Sequence, residues 1–338
     1  MSHRLFNRAD RVAEGWYWAL RSSELPKGKV RAVTLLGKEL SVYRGEDGRV
    51  SALDAHCPHM GAHLAEGRVD DNGLRCFFHG WKFGRDGRCA EVPALAGRAM
   101  PQVRTGSWPV EERYGMIWVW TGPQPRKAVP CPPELEGQEI AHALGGRFEK
   151  ACHPNVVMVN AIDAHHFNTV HRLPVRLVME PDEIDGSNIR FANATRVPGE
   201  KRWQRAIGSF YAGALTYAMS YWWGSNGTVT LGPDFLHFYI LFALRATPDG
   251  RTEGQTILLT KKRSPIVDKV LLFATKLVGD YFADGDTRIF RTIKFDLKNP
   301  IAPDHAIVRF IQHFDRQKIA DWGFSRPEAP TPSPQEAA

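Results

Sequence analysis

The chain has 338 residues, 44 Lys and Arg against 37 Asp and Glu, a net charge of +7 and a pI near 9.2. That length supports two domains and a sizeable second core, and no run of about twenty uncharged apolar residues is present to span a membrane. The positive residues are scattered, without a basic helix or a stacked-aromatic module, so nucleic acid is not an expected partner; a basic surface instead suits an acidic redox protein.

From the N-terminus, Val30 to Cys57 alternates apolar and polar residues around Gly45-Glu46-Asp47-Gly48, a hairpin signal. Two short motifs follow: Cys57-Pro58-His59, then Cys76-Phe77-Phe78-His79-Gly80-Trp81. Each half offers one thiolate and one imidazole. A [2Fe–2S] cluster of the Rieske type needs that set, two cysteines on one iron and two histidines on the other. A Cys₂His₂ zinc site uses the same ligand types, but zinc fingers usually pair the cysteines at one knuckle and the histidines at the other. Both loops are short and carry a glycine (Gly61, Gly80), as suits backbone N–H groups aimed at cluster sulfur. Asp86-Gly87 gives another turn and Tyr114 to Trp120 reads as strand, so residues 15–125 are expected to form a small antiparallel β domain. The proline-rich stretch Pro123 to Pro133 reads as the linker.

A cluster domain needs about a hundred residues, so residues 134–325 must be read for further chemistry. Asn160 to His171 reads N-x-x-D-x-x-H-x-x-x-x-H. Two histidines and a carboxylate on one face of Fe(II), with the other face open, is an arrangement of non-haem iron oxygenases. Asp163 and His166, three apart, share a helical face, and a carboxylate on the distal nitrogen of a ligating histidine fixes its tautomer. His166 and His171, five apart, require the helix to distort or end near Asn168-Thr169. His165 is the local ambiguity in register, and ordinary buried histidines are the plainer alternative.

Strands are expected at Ile189–Val197, Thr228–Thr230, Phe235–Ala243 and Gln255–Thr260, then helical periodicity from Pro265 to about Lys298. This suggests an α+β layer, an antiparallel sheet covered by helices. Phe210 to Trp223 interleaves aromatic and small residues and reads as a substrate wall, with Tyr211, Tyr217, Tyr221 and Trp222, joined by Asn160, as pocket candidates; plain core is the alternative. Val267 to Phe282 reads as an amphipathic helix that also suits a lid or a membrane-surface contact. Asp284 to Ile293 opens like a helix: Asp284 suits its cap, whereas Asp286 shares an apolar face with Ile289, Phe290 and Ile293. Asp296 shares that face by spacing but sits near the Asn299-Pro300 break, and an N-capping role for Asp286 stays open. Residues 326–338 read as a disordered, proline-rich tail.

With both motifs in this order, the chain resembles the Rieske non-haem iron oxygenases, in particular their catalytic alpha-type component, from about Trp16 to the region of Gln317. The resemblance implies Cys57, His59, Cys76 and His79 as cluster ligands and His166 and His171 as histidines of a mononuclear Fe(II). Its D-x-x-I-F segment selects Asp286 as the third ligand. Asp163 matches the acid that bridges the two metal centres, across a subunit boundary, in a head-to-tail homotrimer. Where many relatives carry a glutamate before the asparagine, this chain has Val159. Electrons would come from NAD(P)H through a separate ferredoxin or flavin reductase, since no G-x-G-x-x-G follows a strand here. The branch resembled oxidises steroids and sterols. The expected activity is therefore O₂-dependent monohydroxylation, demethylation or desaturation of a bulky apolar substrate, with aromatic-ring dihydroxylation as the alternative. A Rieske electron carrier without oxygenase activity is the reading from another class. Cys89, Cys131 and Cys152 form an odd remainder, which argues for a reducing compartment. With no apolar run at Met1 to Leu5 to act as a signal peptide, the cytoplasm is the expected location.

Overall fold

A computed structural model describes residues 3–96, 98–172, 177–186, 188–193, 216–222, 224–232 and 236–322. The N-terminal half contains Trp16–Arg21 (β1), Val30–Leu35 (β2), Lys38–Arg44 (β3), Val50–Asp54 (β4), Arg68–Asp70 (β5), Gly73–Arg75 (β6), Lys82–Phe83 (β7), Cys89–Glu91 (β8), Ser107–Trp108 (β9), Val110–Arg113 (β10) and Met116–Trp120 (β11). They form three small antiparallel sheets, β1-β11-β10, β2-β3-β4-β9 and β5-β6-β7-β8. The expected turn at Gly45–Gly48 joins β3 to β4, closed by the Gly45 N–H on Arg49 O, and Asp86-Gly87 joins β7 to β8.

The C-terminal half is built on one seven-stranded antiparallel sheet. Its strands are Ile140–Lys150 (β12), Met179–Asp185 (β13), Asn188–Asn193 (β14), Thr216–Trp222 (β15), Asn226–Gly232 (β16), Phe238–Ala246 (β17) and Thr252–Lys261 (β18), in the order β12-β18-β17-β16-β15-β14-β13. The helices are Pro154–Asn160 (α1), Ala164–Thr169 (α2), Pro265–Thr292 (α3) and His305–Arg316 (α4). The expected α+β architecture is the one observed.

Alternation along β17 and β18 divides two cores, because successive side chains leave opposite faces of a strand. Leu241, Ala243, Ile257 and Leu259 pack with Trp16, Trp18, Trp118 and Trp120 of the N-terminal half. Their neighbours Ile240, Leu244 and Leu258 face the helices. Trp322 returns to the N-terminal core, its indole N–H donating to Leu35 O at 2.9 Å.

Three elements depart from expectation. Strand β12 precedes the iron-motif helices; its Gly145-Gly146 bulge and charged outer face hide the period-two pattern. Helix α3 starts at Pro265 as expected, capped by Ser264, but runs unbroken for 28 residues and stops at Thr292, short of Lys298, with no separate helix opening at Asp284. Asp286 therefore sits near its C-terminal end, which excludes an N-capping role, and Asp284 lies inside the helix. The amphipathic helix α4, with Phe310 and Phe314 buried, was not anticipated.

Candidate metal centres

The two cluster loops repeat one backbone pattern. Cys57 O accepts from Gly61 N at 2.8 Å, and Cys57 N donates to Ala62 O at 2.9 Å; Cys76 O accepts from Gly80 N at 3.1 Å, and Cys76 N donates to Trp81 O at 2.9 Å. Each turn closes on a glycine with positive φ, 76° at Gly61 and 71° at Gly80, a conformation that costs a side chain about 1–2 kcal/mol. Arg75 braces the second loop, donating to Gly80 O at 2.7 Å and pairing with Glu91.

The ligand types separate by depth. Cys57 and Cys76 are buried in the small core of Tyr43, Leu53, Leu64, Leu74 and Phe83. His59 and His79 are exposed, with ring centroids 4.7 Å apart, and His59 stacks on Trp81 at 4.5 Å. Burial pushes the Cys57 thiol up, opposed by the N–H groups of His59 and Met60 that point at its sulfur. Two buried sulfurs beneath two surface imidazoles match what a Rieske cluster requires.

The second constellation forms where the C-terminal turns of α3 meet the segment from Asn160 to His171. Among the described residues, His166, His171 and Asp286 bring one ligand atom each within 4.8 Å of one another. His171 Nε2 lies 3.0 Å from Asp286 Oδ1, and His166 Nε2 lies 3.6 Å from the same oxygen. Three such atoms converging on one buried point suit a shared cation. Burial raises the Asp286 carboxyl against the pull of both histidines, and burial lowers the His166 imidazole. Neutral histidine is the form that ligates metal. Asn160 Nδ2 lies 3.4 Å from His166 Nε2. Gly285 brings the α3 backbone against His171: a Cβ there would sit 2.9 Å from His171 Cε1.

Asp163 corrects one expectation. Its carboxylate caps α2, accepting from the N–H groups of His165 at 2.9 Å and His166 at 3.3 Å. The group on the distal nitrogen of His166 is the Asp163 main-chain carbonyl, 2.6 Å from Nδ1. A carbonyl only accepts, so Nδ1 carries the proton and Nε2 presents its lone pair towards Asp286. Helix α2 ends at Thr169, where the spacing required a break. His165 is exposed, and Asp296 is exposed beyond the helix with Lys298 at 3.2 Å. The side chain of Asp284 lies outside the described residues.

A cavity of about 320 Å³ opens beside the three residues. Asn160 and Tyr217 line it, as expected. Tyr221 does not: its hydroxyl donates to Met158 O and its ring packs on Phe310. Trp222 leaves the opposite face of β15 and donates to Thr228 Oγ1 at 3.1 Å. Tyr211 lies outside the described residues. The remaining walls include Val229, Leu231, Ile240, Phe242, Leu258 and Phe290, whose alternation in sequence is indistinguishable from ordinary core.

Residues 15–108 match the Rieske [2Fe-2S] domain family. The chain is 38% identical over 168 residues to the probable 3-ketosteroid-9-alpha-monooxygenase, oxygenase component, of Rhodococcus rhodochrous, covering 48% of this chain and 42% of the relative. It is 37% identical over 161 residues to cholesterol 7-desaturase nvd of Bombyx mori, covering 46% of this chain and 35% of the relative. It thus spans less than half the length of these curated relatives. Among solved structures, the terminal oxygenase of carbazole 1,9a-dioxygenase from Nocardioides aromaticivorans IC177 superposes with a TM-score of 0.61 at 16% identity, covering 92% of this chain and 96% of that one. The chain therefore contains a Rieske [2Fe-2S] domain, is similar over about half its length to the steroid monooxygenase component and the cholesterol desaturase, and shares its fold with the solved terminal oxygenase.

Proposed function

We propose that the chain is the oxygenase component of a Rieske system, oxidising a bulky apolar substrate of steroid or sterol type by hydroxylation, demethylation or desaturation. The observation that carries this is the convergence of His166, His171 and Asp286 at an apolar cavity, in a chain that also contains a Rieske domain. A pure electron carrier has no use for that second constellation, so the reading without oxygenase activity is the weaker one. In this proposal Cys57, His59, Cys76 and His79 hold the [2Fe–2S] cluster, and His166, His171 and Asp286 hold a mononuclear Fe(II). When bound, the cluster supplies one-electron transfer and the iron supplies O₂ activation.

The chain's own contributions are orientation and exclusion. The Asp163 carbonyl fixes the His166 tautomer, Asn160 adds a polar handle beside it, and the cavity walls hold an apolar molecule away from water. The exposed His59 and His79 lie beside exposed Met60, Phe77 and Phe78. This apolar tip supports a head-to-tail trimer in which the cluster of one chain meets Asp163 of the next. Separate ferredoxin or flavin reductase partners drawing on NAD(P)H, and a cytoplasmic setting, complete the proposal; five cysteines outside any disulfide suit that compartment.

The names of the relatives support a steroid- or sterol-like substrate over a simple aromatic ring. The test is reconstituted protein with a surrogate reductase and NADH on parallel panels of 3-ketosteroids, sterols and small aromatics. Reductase- and O₂-dependent oxidation of a steroid or sterol is the expected result. A cis-diol from an aromatic would move the proposal to ring dihydroxylation, and no product with an intact cluster and full iron would remove the substrate class.

A further inference from the structure

We infer that the outer face of α3 docks on an anionic lipid surface. Ile266, Val270, Phe273 and Leu277 are 78%, 61%, 63% and 55% exposed. At about 100° per residue they fall in one stripe roughly 60° wide. The stripe lies opposite Asp268, Leu272 and Thr275, which are buried against the body of the protein, so it is not a core face turned outward. A helix already packed on one side that exposes an apolar stripe on the other calls for a second apolar environment.

Charge selects the occupant. Lys261, Lys262 and Arg263 are exposed immediately before the helix, and exposed Lys269 and Lys276 follow along one flank. The nearby acids offset part of this. Asp280 and Glu139 pair with Lys276 and Lys262 and Asp268 is buried, accepting the Arg263 N–H, which leaves Lys261, Arg263 and Lys269 as the exposed positive edge of the stripe. An apolar stripe edged with cations matches the boundary between acyl chains and anionic headgroups. A second copy of a +7 chain brings no surplus of acid to meet the same cations.

The same helix rims the cavity. Lys276, Gly279, Asp280 and Thr287 line it, and exposed Lys276 and Asp280 mark where it reaches the surface. Docking on this face sets the entrance beside the membrane, so that an apolar substrate enters without crossing bulk water; this delivery role, unlike docking itself, rests on the substrate class proposed above.

The test is flotation of the full-length holoprotein with vesicles of phosphatidylcholine alone or mixed with phosphatidylglycerol, without substrate or reductase. Docking predicts flotation with the mixed vesicles that weakens as salt rises. Val270→Asp with Phe273→Asp should lower the bound-to-free ratio at least about tenfold. Lys261→Glu with Lys269→Glu should lower it at least about fivefold, both pairs keeping the cluster spectrum. Absent flotation of the natural protein, or equal flotation of the apolar pair, overturns the inference. So does a drop in sedimentation coefficient in the apolar pair, which would make the stripe a contact between copies. An inactive protein that still floats contradicts the proposed chemistry and leaves docking standing.

Discussion

The cluster loops draw their proposed metal ligands from Cys57 to His79 and shape them with backbone hydrogen bonds inside two short turns. His166 and His171 instead meet Asp286 only because α3 crosses the sheet and lays its C-terminal turns against α2. The first site keeps sulfur in a core and imidazole at the surface; the second encloses all three side chains, with 4–14% of each exposed. A local, backbone-built site should respond to loss of its ligands and hardly to packing elsewhere. A site assembled from distant helices should respond to small displacements of its supports as well. The difference also suits the division of labour proposed, since an electron must leave the surface while oxygen chemistry needs exclusion of water.

The largest expected effect separates the two sites outright. Cys57→Ser should abolish the visible cluster absorption and all turnover while iron bound at His166 and His171 persists. An unchanged Rieske spectrum in that variant would remove Cys57 from the ligand set. Next, His166→Ala should bring turnover below detection with the cluster spectrum intact, and His165→Ala should match the natural protein. Reversal of that pair would shift the register by one residue.

Gly285→Ala addresses assembly rather than ligation. The added Cβ would stand 2.9 Å from the His171 ring, so iron affinity or turnover should fall about 10- to 100-fold, as for lost support of a metal ligand. A wild-type iron titration in this variant would mean that the ring has room to move. The smallest effect on stability is at the α2 cap. Asp163→Ala removes the α2 cap and should lower stability by about 1 kcal/mol, read as a shift in denaturant midpoint, whereas Asp163→Asn keeps a capping oxygen and should not. If Asp163→Asn also keeps full turnover, the carboxylate is a cap and nothing more.

How much of this was legible follows the same division. The Cys and His spacing could be read directly because the loop is its own scaffold, and the hairpin at Gly45–Gly48 obeyed local turn chemistry. The place of Asp286 beside the two histidines was also legible, since its apolar face repeats with Ile289 and Phe290; the start of α3 at Pro265 was read, but Asp284-Gly285, which resembles a cap, lies inside it. For Asp163, an i to i+3 interval does not distinguish carboxylate from main-chain carbonyl. The preference of Asp for a helix cap was the better guide. Tyr221 and Trp222 were proposed for the pocket on aromatic character. Alternation along β15 turns Trp222 to the other face, and Tyr221, on the pocket side, is drawn into the α4 core by Phe310. The walls from β16, β17 and β18 are set by strand register across the sheet, which no local pattern encodes.

The central claim is that one chain builds two iron centres, the second anchored by a residue far along the sequence. Iron and acid-labile sulfide measured on anaerobically reconstituted protein, with Asp286→Ala and Asp296→Ala alongside, test it most directly. The natural protein and Asp296→Ala should carry about three irons for every two sulfides, and Asp286→Ala about two, with an unchanged Rieske spectrum. Iron retained in Asp286→Ala and lost in Asp296→Ala would contradict the assembly described here, and two irons in the natural protein would leave a cluster domain without its oxygen-activating partner site.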